Sequence, residues 1–230
     1  MDSQKLLILD SNKASNDIFV LDKKISGVYK LVSFMYTNNI YNVTDSNNKI
    51  YWNENGSNLT TTLTNGYYDS SDFVSHLFSQ LQASGSGNIN VSLDSNSRKL
   101  TITNTLNFYF TFGSNTSNSA KRLLGFEAQD GSNNTTQISS SPIDLNTCKS
   151  VFVKMEQDDL RLVEGIEFFN SSLFISGSSD FGETFRYVDV DNFNQYVKFK
   201  PTKKLKISFH DISNNTINLN SEYQIILKKM

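Results

Sequence analysis

The stretch Leu63-Thr64-Asn65-Gly66-Tyr67-Tyr68-Asp69-Ser70-Ser71-Asp72-Phe73-Val74-Ser75-His76-Leu77 decides the fold. It reads as a strand that ends at a tight turn and passes into a short amphipathic helix. Asp69 or Ser70 offers a side-chain oxygen to the orphan N–H groups of the first helical turn. Phe73, Val74, Leu77, Phe78 and Leu81 then recur at helical spacing and predict one apolar face. Ser84-Gly85-Ser86-Gly87 reads as the helix stop. A phosphate loop is excluded, because the glycines follow a helix and no Lys-Ser/Thr comes after them.

On both sides of this helix the chain reads as strands. Upstream, Lys49 to Asn53 and Asn58 to Thr64 flank Asn55-Gly56, the dipeptide suited to the positive φ angles of a tight hairpin. The run Thr60-Thr61-Thr62 fits a pleated strand better than a helix. Gly27 to Thr37 predicts a central strand, and the runs Leu6 to Leu9 and Ile18 to Leu21 predict edge strands or an extended arm. Downstream, Ile89, Val91 and Leu93 share a face, and a polar turn follows at Ser95-Asn96-Ser97. Leu100 and Ile102, then Leu106, Phe108, Phe110 and Phe112, continue the period of two.

Residues 113–141 read as loop with one helical turn at Leu123-Leu124-Gly125-Phe126. Val151 to Met155 and Leu173 to Ser176 predict strands, and residues 156–195 carry little pattern. Near the end, Val197 and Phe199, then Leu205, Ile207 and Phe209, alternate with polar residues, mostly lysines. A turn at Ser213-Asn214-Asn215 leads to a last strand through Tyr223, Ile225 and Leu227. The expected core is Leu77, Leu81, Val91, Leu93, Leu100, Ile102, Phe108, Phe110, Leu205, Ile207, Ile225 and Leu227.

Many short antiparallel strands with polar turns imply an all-β, antiparallel jelly-roll sandwich with one short amphipathic helix inserted between strands. No repeat or linker divides the chain, so a single β domain over residues 1–230 is expected. Residues 1–26 are a candidate arm, and 113–141 and 156–195 are loop-rich stretches open to an insertion.

Composition bounds the function. Hydrophobic residues are 37% and charged residues 19%, a globular balance, and the net charge of −2 argues against coating nucleic acid. The abundant Asn and Ser follow from an A- and T-rich coding sequence, as do the sequons at Asn42, Asn58 and Asn170. Cys148 has no second cysteine to pair with, which fits folding in a reducing compartment. No run is long enough to span a bilayer, and the N-terminal apolar run is too short for a secretory signal. The chain reads as cytosolic when made.

The order Leu63…Gly66-Tyr67, helix through Phe73, Leu77 and Leu81, two strands, a Phe-rich strand and Leu123-Leu124-Gly125-Phe126 resembles penton and minor capsid proteins. The viruses concerned have jelly-roll capsids: virophages, polinton-like viruses and large DNA viruses. The ending Leu205-Lys206-Ile207-Ser208-Phe209-His210-Asp211, then Ile217-Asn218-Leu219 and Tyr223-Gln224-Ile225-Ile226-Leu227, is similar to their closing strand pair. Where that family often has Gly between the last two strands, this chain has Asn214-Asn215, and Asn tolerates left-handed backbone. The resemblance covers about two thirds of the chain. It implies a structural virion protein that assembles as a homopentamer at an icosahedral vertex beside the major capsid protein.

No residue set in the sequence carries catalysis. His76 and His210 belong to no ligand pattern, so no metal is expected. Cys148 reads as a structural thiol. Asp189 and Asp191, with Asn192 and Asn194, could offer oxygens to Ca²⁺, but the EF-hand glycine and distal glutamate are missing. Asp158-Asp159 reads as a polar turn. No carboxylate pair suggests acid–base work, so a glycosidase is the weakest alternative and no small-molecule substrate or cofactor is expected. A second alternative is a glycan- or receptor-binding β-sandwich on a virion surface, with Trp52 and Tyr51 as the sugar platform. Lys198, Lys200, Lys203, Lys204, Lys206, Lys228 and Lys229 read chiefly as guards of a strand edge. With no interleaved aromatics, they do not make nucleic acid an expected partner.

Overall fold

The computed structural model describes residues 6–145, 150–157, 161–162, 164–166, 172–176, 181–188, 195–211 and 214–230. Cys148, Asp158-Asp159, Asp189, Asp191, Asn192 and Asn194 lie outside them. The chain divides into two compact units: unit 1 is Met1–Ile40 with Cys148–Met230, and unit 2 is Tyr41–Thr147.

In chain order, β1 (Leu6–Asp10) and β2 (Ile18–Thr37) begin unit 1. Unit 2 holds β3 (Lys49–Glu54), β4 (Ser57–Thr62), helix α1 (Ser70–Ser84), β5 (Ile89–Leu93), β6 (Leu100–Phe110), the short helix α2 (Lys121–Leu124) and β7 (Asn134–Ile138). Unit 1 resumes with β8 (Ser150–Gln157), β9 (Arg161–Leu162), β10 (Glu164–Ile166), β11 (Ser172–Ser176) and β12 (Thr184–Val188). It closes with β13 (Tyr196–His210), β14 (Thr216–Ile217) and β15 (Tyr223–Lys229).

Among the described residues, unit 1 is a ten-stranded ladder with the main order β1-β15-β2-β13-β8-β11. Every pairing between these described strands is antiparallel. The long strands β2 and β13 carry the architecture. Each changes partners along its length, and register shifts between Phe199 and Lys204 bend their pairing. Bulges of this kind turn a strand and let one ladder wrap a single core. That core gathers Leu9, Phe34, Val153, Val197, Phe199, Leu205, Ile207, Ile225 and Leu227 from strands all along it. The result is the jelly-roll, all-β class that the alternation predicts.

The N-terminal run Leu6–Asp10 is a true edge strand bonded to β15, not a loose arm. Ile18 to Leu21 opens the long strand β2, with Phe19 opposite Leu205 in β13. β13 is bonded to β2 and then β14 on one side, and to β10 and β8 on the other. Lys198 and Lys206 are bonded on both sides and guard no free edge, which corrects the edge reading for them. The same strand brings Tyr196 opposite Lys30, so a ring does lie among the lysines.

Unit 2 is a five-stranded antiparallel sheet, β4-β3-β6-β5 with β7 on β6, covered by α1. The hairpin forms where predicted, with Asn55 at φ 47° and Gly56 at φ 90° between β3 and β4. β7 sits inside the stretch read as loop. Its sequence Asn134-Thr135-Thr136-Gln137-Ile138 is polar and mostly exposed, so no apolar alternation marks it. Unit 2 has its own core, built from Ile50, Trp52, Leu63, Phe73, Leu77, Leu81, Leu100, Ile102, Phe108, Phe110, Leu123 and Leu124. The expected core residues thus divide between two cores, and Leu93 is only half-buried.

Candidate functional site

The segment that decided the fold lies wholly in unit 2. Leu63 is fully buried, and Gly66 bridges to Val43 through reciprocal N–H···O bonds of 3.0 Å. The Asn42 side chain locks the turn, donating to the Tyr68 carbonyl (2.8 Å) and accepting the Tyr68 N–H (3.0 Å). Tyr67 is exposed. Asp69 is the N-cap, accepting from Ser71 and Asp72 N–H at 2.8 and 2.9 Å. Phe73, Leu77 and Leu81 bury one face of α1, while Phe78, grouped with them by spacing, is 41% exposed. Leu123 and Leu124 are buried on α2, Gly125 caps it at φ 73°, and the Phe126 ring lies 4.9 Å from Phe110. A Cβ at Gly125 would stand 2.1 Å from the Ser141 carbonyl oxygen, so that position admits only glycine. These ten residues are brought together as packing and turn geometry, with no reactive group among them.

Unit 2 also contains a buried acid that the sequence pattern did not reveal. Glu54 is 4% exposed, at the end of β3. Its carboxylate accepts from Ser86 N–H (2.7 Å), Gly87 N–H (3.2 Å) and Asn104 Nδ2 (2.7 Å). Burial alone would raise its pKa; the three donors outweigh that and hold the carboxyl below its ordinary range. The Ser84-to-Gly87 stop is thus also an anion cradle, and the anion is internal. A Cβ at Gly85 would meet Trp52 at 2.7 Å, and one at Gly87 would meet Asn104 Oδ1 at 2.0 Å. Gln82 of α1 staples the same loop, donating to the Gly87 carbonyl and accepting from Ile89 N–H.

The other candidates take structural parts. His76 Nε2 accepts the Thr64 N–H at 3.0 Å, and its ring stacks on Tyr68 at 4.7 Å. Burial lowers its pKa, which favours the neutral acceptor form. Trp52 is 1% exposed and its Nε1 donates to Thr61 Oγ1 at 3.0 Å, so it forms no sugar-stacking platform. Tyr51 hydroxyl donates to the Ser117 carbonyl.

In unit 1, His210 shares a hydrogen bond of 2.9 Å with Ser208. Both line an open cleft of about 780 Å³ with Lys154, Lys206, Glu156 and Asp17. Lys206 pairs with Glu156 there at 3.7 Å, and Tyr223 donates to Asp17 at 3.0 Å. Burial, with the Asp17 charge beside it, pushes the Tyr223 phenol far above its ordinary pKa. Among the described residues, no cluster of His, Cys, Asp and Glu suited to a metal occurs. No helix among them is long and apolar enough to cross a membrane.

Comparison with known proteins places this geometry. No protein-family model matches the chain. No curated protein matches it in sequence. Among solved structures it is similar to the crystal structure of selenomethionine-labelled mavirus penton protein, at 12% identity and a TM-score of 0.50. The similarity covers 98% of this chain and 93% of that one. At that identity the match establishes the fold, a jelly roll shared with a penton protein.

Proposed function

We propose that this protein is a structural subunit of an icosahedral virion, a penton that closes the capsid vertex as a homopentamer beside the major capsid protein. One observation carries the reading: a penton protein shares the fold across nearly the full length of both chains. Glu54, His76 and Asp17 support it, since each is engaged in holding loops or strands. Function then resides in surfaces. A ring needs a heterologous contact, two different patches on each copy, and closure multiplies a weak contact around the axis.

One such patch is the outer side of β1. Leu6 is 54% and Ile8 53% exposed, on the strand that ends the ladder. Exposed apolar side chains on a terminal strand suit a partner of the same kind. Light scattering and negative-stain microscopy of the purified chain test this reading. Discrete five-fold rings are expected, and Ile8→Glu is expected to return them to monomers with an unchanged melting temperature. A wild-type chain that stays monomeric at high concentration, alone and with major capsid protein, would overturn it.

A further inference from the structure

We infer that His76 is an acid-released latch on the turn at 63–68: neutral, it holds the turn against α1, and protonated, it lets the turn go. β4 ends at Thr62, so the backbone of Thr64 lies beyond the sheet ladder and must find its partners elsewhere. Two side chains supply both. Thr64 N–H donates to His76 Nε2 at 3.0 Å, and the Tyr68 hydroxyl donates to the Thr64 carbonyl at 2.9 Å. The two rings stack 4.7 Å apart and 21° from parallel, while Tyr68 also meets Phe73 edge-on. An imidazole that accepts at Nε2 carries its proton on Nδ1, so the bond exists only in the neutral form. A second proton sets Nε2–H against the Thr64 N–H, donor against donor.

Burial is the influence acting on this ring, and it disfavours the charged form. The titratable groups around it are engaged elsewhere. On the turn, Tyr68 is held by Thr64; Lys49 of β3 donates to Thr62 Oγ1, and Asp45 before β3 accepts from Asn65. On the helix side Asp69 caps α1, and Asp72, one turn before His76, is exposed. An imidazolium over the Tyr68 face would gain a cation–π contact. It keeps that gain by turning Nε2 away from Thr64, which is the released state. Folding lowers the His76 pKa, so the latch adds stability above the unfolded value of about 6.5, and that stability is lost as pH falls through the folded value. Neighbouring ties stay in place: Asn42 still holds Tyr68, and Gly66 still bridges to Val43. Opening is therefore local, and it loosens the cover over the fully buried Leu63. The latch lies inside unit 2, so it works alike in a single chain and in a ring.

Hydrogen–deuterium exchange mass spectrometry of the full chain at about pH 7.5 and about pH 5.0 tests it, with labelling times scaled to the intrinsic exchange rate. The lower value stays above the range of Glu54, whose carboxyl is held below its ordinary pKa. The peptide covering 63–68 is expected to exchange about tenfold faster in acid, the effect of losing one hydrogen bond. Peptides from β5 and β6 are expected to keep their protection. His76→Gln offers an amide oxygen that accepts but does not titrate, and its turn is expected to exchange alike at both pH values. His76→Ala has no acceptor and is expected to exchange fast at both. His210→Gln, which removes the other histidine, is expected to keep the wild-type acid response. A wild-type turn with no acid response overturns the inference. So does a response that survives in either His76 variant, or one abolished by His210→Gln, which would assign the titration to unit 1.

Discussion

Glu54 shows how much a single side chain can fix. Its carboxylate ties the end of β3 to the loop after α1 and to β6, three points far apart in sequence, through three donors. Replacing it with Gln turns one acceptor into a donor facing an N–H, and a buried polar group left unmatched costs about 1–3 kcal/mol. Glu54→Gln is therefore expected to destabilise unit 2 by about 2 kcal/mol in urea unfolding. The pH dependence has a definite sign. A carboxyl whose pKa is lowered by folding stabilises above its unfolded pKa, and the contribution is lost as pH falls through the folded value. Acid unfolding of the wild type should thus steepen below about pH 4.5, while Glu54→Gln, weaker at neutral pH, loses less over that interval. Equal acid sensitivity of the two proteins would show that the cradle holds no charge.

Among the elements, those with a local signature are legible in the sequence. The Asn55-Gly56 hairpin, the capped helix after Asp69 and the alternation from Ile89 to Phe112 each follow from positive φ, capping or period. What escaped was set by distant partners. β7 is polar and is a strand only because Thr101, Ile102 and Thr103 of β6 accept it. Lysines alternating along β13 look the same on an edge strand as on an interior one, and only the bonding to β8 separates the two cases. Glu54 gave no signal because its donors lie more than thirty residues on. Phe78 shares the helical spacing of Phe73 and Leu77 yet faces outward, since the covered stripe is narrower than the apolar one. Leu77 lies at the centre of that stripe, fully buried. Leu77→Ala should cost about 2–5 kcal/mol, read as a lowered urea midpoint. A change below about 0.5 kcal/mol would mean that α1 covers nothing.

At the scale of the molecule, the division into two units was not legible, because no linker composition marks either Ile40 or Cys148. It shows instead in the cores, which share no residue. Two thermal transitions are therefore expected. Leu77→Ala should lower one of them, and Leu227→Ala the other. A single transition moved equally by both substitutions would show that the cores melt as one body.

The pairing of β1 with β15 sets a clock on biosynthesis. Leu6 finds its register partner at Lys228, so β1 must wait for β15 to be made before the two can join. All of unit 2 emerges during that interval and has its complete core in hand. Nascent chains therefore carry a finished inner module while their outer strands stay unjoined. The interval before β15 emerges is when this protein is most exposed to mispairing with its own copies.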